Sequence, residues 1–389
     1  MTIINKMLVF TGMLLFLSGS VQASESELRQ LIEGLQQENE QLRRSQQEQE
    51  EKLNKLLDDN TVAQEMGMDL EKQLQSRVKL SGYADVEYRQ SSLEGSNDGF
   101  RLHHFSLFVS KNISERWRLF SEVEYEDGPF IDFGGGSNCS NCSGQLFLEA
   151  MNIDYLYTTA MNLKAGRFYT PAGIWLTDYY PPYVATQERP AHIRQIFPQY
   201  IDGAMVFGNP AIGNAFLNYN LYVGNGESAA GAGDNNSSKS VGMRAALVFD
   251  RWELGGSYYR DTINDGMDGV AKSVVGAHAK AQGAGFTFQT EYAYGTYKRP
   301  NGDEYDKDGY YGQLLYNKNQ YVIGYRFDRF VDYKILPPRQ REKYLIHSAI
   351  FNYRVSNELV LKLEHHVVDS SVSANYNSTI LSIAVHLGE

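Results

Sequence analysis

The sequence predicts an all-β fold: a transmembrane 16-stranded antiparallel β-barrel preceded by an α-helical coiled coil. Three observations carry this expectation. Candidate strands are long enough to cross a bilayer, their side chains alternate apolar and charged, and short turns alternate with long connections. The chain has 389 residues and a formal net charge of −11, and its 27 Tyr, 19 Phe and 35 Gly suit strands and turns. The acidic balance argues against a nucleic-acid partner, which needs basic patches.

Taken in order, residues 1–23 read as a secretory signal peptide. Lys6 precedes the apolar run MLVFTGMLLFLSG, and VQA offers a cleavage point after Ala23. The run is too short to span a bilayer, so the chain is expected to be exported and to enter a membrane through strands. Residues 24–77 change character and are rich in Glu, Gln, Leu and Lys. Leu28, Leu35, Leu42, Leu56 and Leu70 share one heptad position, and Ile32, Leu53 and Leu74 share the position four residues later. That is a coiled-coil seam diluted with polar residues, and it implies oligomerisation. A single solvated helix is the alternative, but it would leave its leucines uncovered.

From residue 78 to 389 the pattern is strands, with sixteen candidates at 79–90, 100–111, 115–126, 145–157, 161–169, 200–208, 214–224, 240–250, 251–261, 271–282, 283–295, 309–318, 319–330, 343–354, 357–368 and 378–387. Soluble strands average five or six residues, whereas a tilted membrane strand needs about 9–11. NIS, TTA and NPAIG are short links; SSLEGSNDG, NGESAAGAGDNNSSK and KRPNGDEYDKD are long ones, and the two kinds alternate. ERWRLFSEVEYE shows the faces: Trp117, Leu119, Val123 and Tyr125 on one, Arg116, Arg118, Glu122 and Glu124 on the other. NELVLKLEHHVV and NQYVIGYRFDRF repeat the division, with Lys362, Glu364, Arg326 and Asp328 on the charged side. Charges in a packed sandwich core would cost several kcal/mol each without partners, but facing a water-filled lumen they cost little. The apolar face is therefore expected to meet lipid. Asp85, Arg89, Arg116, Arg118, Glu122, Glu124, Arg326 and Asp328 are expected to line the lumen. Sixteen strands leave an aqueous channel, so the architecture itself suggests a diffusion pore.

Two stretches add a resemblance. LKAGRFYTPAGIW (163–175) and ERPAHIRQIFPQYIDGAMVFG (188–208) are similar to segments of Gram-negative outer-membrane porins of the sixteen-stranded, trimeric type, broadly the phosphate-selective group. The resemblance covers the whole barrel, but only these stretches are distinctive. It implies passive diffusion of small hydrophilic solutes or ions, an outer-membrane location facing lipid and lipopolysaccharide, a homotrimer and a periplasmic coiled coil. A ligand-specific uptake channel or receptor, for a siderophore or an anion, is the alternative. It also implies that residues 170–199, the longest connection, fold into the barrel as a constriction loop. The segment carries five prolines and a cluster of Trp, Tyr and Ile that a free surface loop would not need. Asp178, Glu188, Arg189, His192 and Arg194 then become the constriction candidates; a loop packed over the rim would leave them in open water. The sequence departs from the group in its mixed-sign inner face, which argues against phosphate selectivity and for a weak cation preference, and in its terminal Gly-Glu, where outer-membrane proteins usually end in an aromatic residue.

The remaining motifs are modest. Cys139 and Cys142 in NCSNC are expected to form a local disulfide in a Gly-rich loop. No cofactor and no metal site is expected, and lone histidines such as His365, His366 and His386 read as wall residues. The chain is not expected to be an enzyme, because no convergent acid–base group stands out. The coiled coil could reach the cell wall as a further partner.

Overall fold

The computed structural model describes residues 33–34, 38, 40–52, 55, 77–128, 144–177, 179–193, 195–227, 238–264, 268–334 and 340–388. The chain divides into two units, residues 1–74 and 75–389. In the first, residues 40–52 are helical and exposed. Leu42 is the one described leucine of the expected heptad seam, and it is 57% exposed. The signal peptide and the rest of the seam lie outside the described residues.

The second unit is one antiparallel sheet. Its strands are β1 (Val78–Ser91), β2 (Gly99–Asn112), β3 (Trp117–Glu126), β4 (Gln145–Leu156), β5 (Asn162–Tyr169), β6 (Tyr200–Gly208), the two-residue β7 (Ala211–Ile212), β8 (Ala215–Gly224), β9 (Ser240–Val248), β10 (Trp252–Ile263), β11 (Val270–Gly283), β12 (Phe286–Lys298), β13 (Glu304–Lys318), β14 (Tyr321–Lys334), β15 (Gln340–Arg354), β16 (Leu359–Ser370) and β17 (Tyr376–Leu387). Each long strand pairs with the next, and β1 closes on β17 from Gly82↔Leu387 to Ser91↔Ser378. Closure removes the free edges that would otherwise template aggregation. Apart from β7, which belongs to the turn before β8, these are the sixteen strands expected from sequence.

The partition of side chains is inside-out. Ile323, Tyr325, Leu363, Leu381 and Ile383 stand 44–56% exposed on the outer wall, whereas Glu122, Glu124, Asp328 and Glu364 are each 0% exposed inside. Rings gather beside the short turns: Trp117 on Tyr155 (4.9 Å), Phe249 on Trp252 (3.6 Å) and Phe286 on Tyr316 (4.8 Å). Such a belt suits the boundary between hydrocarbon and headgroups. The two-residue turn Ala284-Gly285 has φ of 51° and 83°, the double left-handed geometry of a primed hairpin turn, which glycine favours.

Several long connections are shorter than the sequence suggests. KRPNGDEYDKD shrinks to residues 299–303, because β12 and β13 continue pairing outward through Tyr297↔Tyr305. Those two rings stack at 4.7 Å with Tyr333 alongside Tyr305 at 5.4 Å, so an aromatic ladder extends the hairpin where loop composition suggested coil.

Candidate functional site: a lumen crossed by residues 170–199

The connection between β5 and β6 lies inside the barrel. Its neck is closed by a backbone bond from Thr170 N to Gln199 O (2.9 Å) and, one step below, by the two-pronged pair of Arg167 with Asp202 (2.7 and 2.6 Å). This explains the Gly-Arg-Phe-Tyr-Thr-Pro stretch: its arginine clamps the two strands from which the segment departs. Beyond the neck, wall side chains satisfy the segment's backbone polar groups. Arg244 Nε donates to Gly173 O (3.0 Å) and Gly173 N donates to Ser257 Oγ (3.3 Å). Gly173 has φ of 61° and sits so close to Glu291 that a Cβ would strike its carboxylate. Trp175 N donates to Glu291 Oε1 (2.9 Å), and Asn352 Nδ2 donates to Ala185 O (2.9 Å).

The far end is held most tightly. Arg326, paired with Asp328 at 2.8 Å, donates to Thr186 Oγ1 and to Glu188 O (3.0 Å). Lys362 Nζ donates to Pro181 O and to Gln187 Oε1 (3.1 Å). Glu364 accepts from the backbone N–H groups of Gln187 (2.5 Å) and Glu188 (3.4 Å). Gln187 Nε2 reaches Asp85 Oδ2 at 2.6 Å. The segment thus bridges walls built by β1, β9, β10, β12 and β14 to β16. Its apolar residues fill the space between: Leu176, Ile196 and Phe197 pack with Phe168, Tyr259 and Val274.

The expected water-lined charges are consequently shielded. Glu122, Glu124, Arg326 and Asp328 are at most 1% exposed, because the segment covers them. Burial is tolerated because they are partnered. On the β3–β4 side the partners are phenols: Glu122 accepts from Tyr169 (2.9 Å) and Tyr180 (3.3 Å), Glu149 from Tyr169 (3.1 Å) and Tyr200, and Glu124 from Tyr83. Glu149 turns inward through an extra residue in β4: Glu122 pairs with Ala150, and Val123 with Leu148.

The sequence candidates distribute as follows. Asp85 and Arg89 lie on the inner wall, the latter 2.8 Å from Glu188. Arg118 is half-exposed and pairs with buried Asp154 at 2.6 Å. Arg116 is not on the inner wall: it sits exposed in the turn before β3, with Nη1 3.3 Å from Tyr155 Oη. Arg189 stacks on Tyr179 at 4.7 Å. His192 is 3% exposed against the Tyr311 ring, and burial, helped by Arg326, pushes its pKa down to about 3. Glu188, with its side chain still 44% exposed, is held below the usual carboxylate range by Arg89, which outweighs its partial desolvation. Asp178, Arg194, Cys139 and Cys142 lie outside the described residues. Sequence reasoning missed the phenol ligands and Glu149; alternation alone does not distinguish an inward tyrosine from a girdle tyrosine.

Polar cavities flank the segment. One of about 200 Å³ opens toward the short turns, beside Lys280, Gln289, Gln313 and Arg354. Another of about 440 Å³ opens toward the long connections, beside Glu126, Glu149, Arg167 and Glu227.

No family model matches the chain. An uncharacterized protein of Aquifex aeolicus is 26% identical over 159 residues, covering 40% of this chain and 34% of that protein. The matched stretch therefore spans about a third of that relative's length. Among solved structures, the anion-selective porin of Comamonas acidovorans aligns with a TM-score of 0.58 at 12% identity, over 80% of this chain and 99% of that one. Salmonella typhi OmpF in complex with daunomycin gives 0.57 at 12%, over 80% and 98%. The trimer form of Vibrio cholerae OmpT gives 0.56 at 11%, over 80% and 99%. With its closed antiparallel barrel and inward-folded β5–β6 connection, the chain has the fold of the sixteen-stranded outer-membrane porins.

Proposed function

We propose that this chain is an outer-membrane porin of a Gram-negative bacterium, through which small hydrophilic solutes or ions diffuse passively, with residues 170–199 as the constriction. The observation that carries the reading is the inside-out barrel: apolar side chains on the outer wall, and an inner wall whose ionic groups hold a connecting segment across the lumen. The inner wall is mixed in sign, with carboxylates on the β3–β4 side and the arginines and lysine of β9, β14 and β16 set across from them, and the chain's net charge of −11 supports a weak cation preference. This balance does not favour phosphate, so kinship with the phosphate-selective group rests on the 163–175 and 188–208 stretches. In this reading the long connections face outside and the short turns face the periplasm; a coiled coil over residues 24–77 rests on their heptad pattern alone.

A homotrimer is the favoured assembly. The Vibrio OmpT structure is a trimer form, and an outward apolar groove of about 710 Å³ along Trp117, Ile153, Leu163, Ala204, Leu221 and Val223 offers a face to a neighbouring copy. Planar-bilayer recording of the purified protein in a salt gradient tests the reading. Stepwise conductance with a cation-leaning reversal potential is expected; folded protein that inserts without conducting would overturn it.

A further inference from the structure

In a regular strand, adjacent residues face opposite sides, so His103 and His104 should divide between lipid and lumen. They do not. Asp85 pairs with His104 and the next residue, Val86, with Leu102, which leaves His103 as an extra residue in β2. This bulge turns both imidazoles inward. Their side chains are only 14% and 6% exposed. Both Nδ1 atoms converge on one carboxylate, that of Asp85, at 3.1 and 2.7 Å, and the rings lie 3.6 Å apart. The donor atoms of these three residues all fall within 4.8 Å of one another.

A second carboxylate lies at the edge of this three-residue group, beside His103. Glu87, two residues along β1, has a fully buried side chain whose Oε1 is shared by Arg89 (3.4 Å) and Arg101 (3.3 Å). Among the described residues its Oε2 is buried without a hydrogen-bond partner, 3.4 Å from His103 Nδ1. A buried carboxylate oxygen left in this state costs free energy. Hydrogen bonding within the cluster does not relieve it, and protonating both adjacent rings would set two cations side by side. A bound cation would satisfy all four groups together.

We propose that Asp85, Glu87, His103 and His104 form a lumen-accessible site for a divalent transition-metal ion of the zinc, cobalt and nickel type. Two imidazoles with two carboxylates match that class, whereas calcium and magnesium select all-oxygen sites. Binding releases the Nδ1 protons to solvent and places the two ring nitrogens, Asp85 and Glu87 Oε2 on the ion. His104 Nε2 faces Glu126 Oε1 at 3.4 Å, the outer carboxylate that orients a metal-ligating histidine. Entry runs past His103 and Glu126, whose side chains retain 14% and 20% exposure. The ion also competes with Gln187 for Asp85, so occupancy loosens one anchor of the crossing segment. Binding itself does not depend on the pore reading.

The test uses the full chain, stripped of metal by chelator and held in detergent, titrated with Zn²⁺ by calorimetry and with Co²⁺ by visible absorption. One ion per chain is expected, without a sulfur-to-cobalt charge-transfer band, which would instead report Cys139 and Cys142. His103→Ala and Glu87→Gln should each weaken Zn²⁺ binding at least about tenfold. The outward, exposed His347 serves as control, and His347→Ala should change nothing. Heat-modifiable electrophoretic mobility verifies that each variant is a folded barrel, and Glu87→Gln, nearly isosteric, keeps the test decisive if His103→Ala fails to fold. Absence of Zn²⁺ binding, or equal binding by wild type and Glu87→Gln, would overturn the site. Loss on Glu126→Gln but not on Glu87→Gln would place the ion on the other side of His104 and overturn this ligand set.

Discussion

Replacing Glu364 by alanine should release the far end of the crossing segment while leaving the barrel intact. The carboxylate is fully buried and accepts from two consecutive backbone N–H groups, Gln187 at 2.5 Å and Glu188 at 3.4 Å. A hydrogen bond to a charged acceptor contributes roughly 1.5–3 kcal/mol. Taking the shorter contact near the top of that range and the longer one well below it, the docked end loses about 3 kcal/mol. At about 1.4 kcal/mol per decade, the ratio of docked to released segment falls about a hundredfold. Lys362, already holding Pro181 O and Gln187 Oε1, also loses a nearby countercharge, which adds in the same direction. The neck at Thr170 and Gln199 is untouched, so the segment stays tethered and the strand ladder is unaffected. Single-channel recording reads the outcome: Glu364→Ala should show higher and noisier conductance, and Glu364→Gln, which keeps one oxygen acceptor, an intermediate effect. A folded Glu364→Ala barrel with the wild-type conductance and noise would refute the claim that these contacts hold the constriction.

Other expectations follow from the same geometry. Val275 faces outward at mid-strand, 49% exposed, so Val275→Arg should cost about 2–4 kcal/mol in a folding titration from urea into lipid vesicles. Burial holds the His192 pKa down to about 3 in the docked segment, against about 6.5 for a free imidazole, so docking strength is fully present above pH 6.5 and weakens as pH drops from there. Conductance noise should therefore rise as pH drops from 6.5 to about 5, above the range in which the anchoring carboxylates protonate, and His192→Leu should abolish the rise in that interval. Deleting residues 24–77 should lower the temperature at which the trimer dissociates in mild detergent; an unchanged trimer would remove the coiled coil from the assembly.

What was legible in the sequence is what a period of two encodes. Leu361, Leu363, Lys362 and Glu364 declare their faces locally, and sixteen such runs with alternating link lengths leave few architectures open. Less legible is whatever depends on a partner strand. His103 and Glu149 break the alternation only because of how β1 and β3 pair beside them. Arg116 follows the charge pattern, yet a turn between Asn112 and Trp117 removes it from the strand. The segment 170–199 advertises unusual apolar content, but the anchors that hold it come from strands up to 181 residues away, such as Lys362 on Pro181. No local pattern connects those residues.

The chain has three tryptophans, and the fold sorts them. Trp117 and Trp252 stand 46% and 40% exposed on the outer wall, whereas Trp175, in the crossing segment, is 3% exposed inside. Variants retaining one tryptophan each, folded into vesicles of lipid brominated high in the acyl chain, read lipid contact directly through fluorescence quenching. Strong quenching of Trp117 and Trp252 with little of Trp175 is the expected result; quenching of Trp175 as strong as that of the other two would contradict the inside-out barrel.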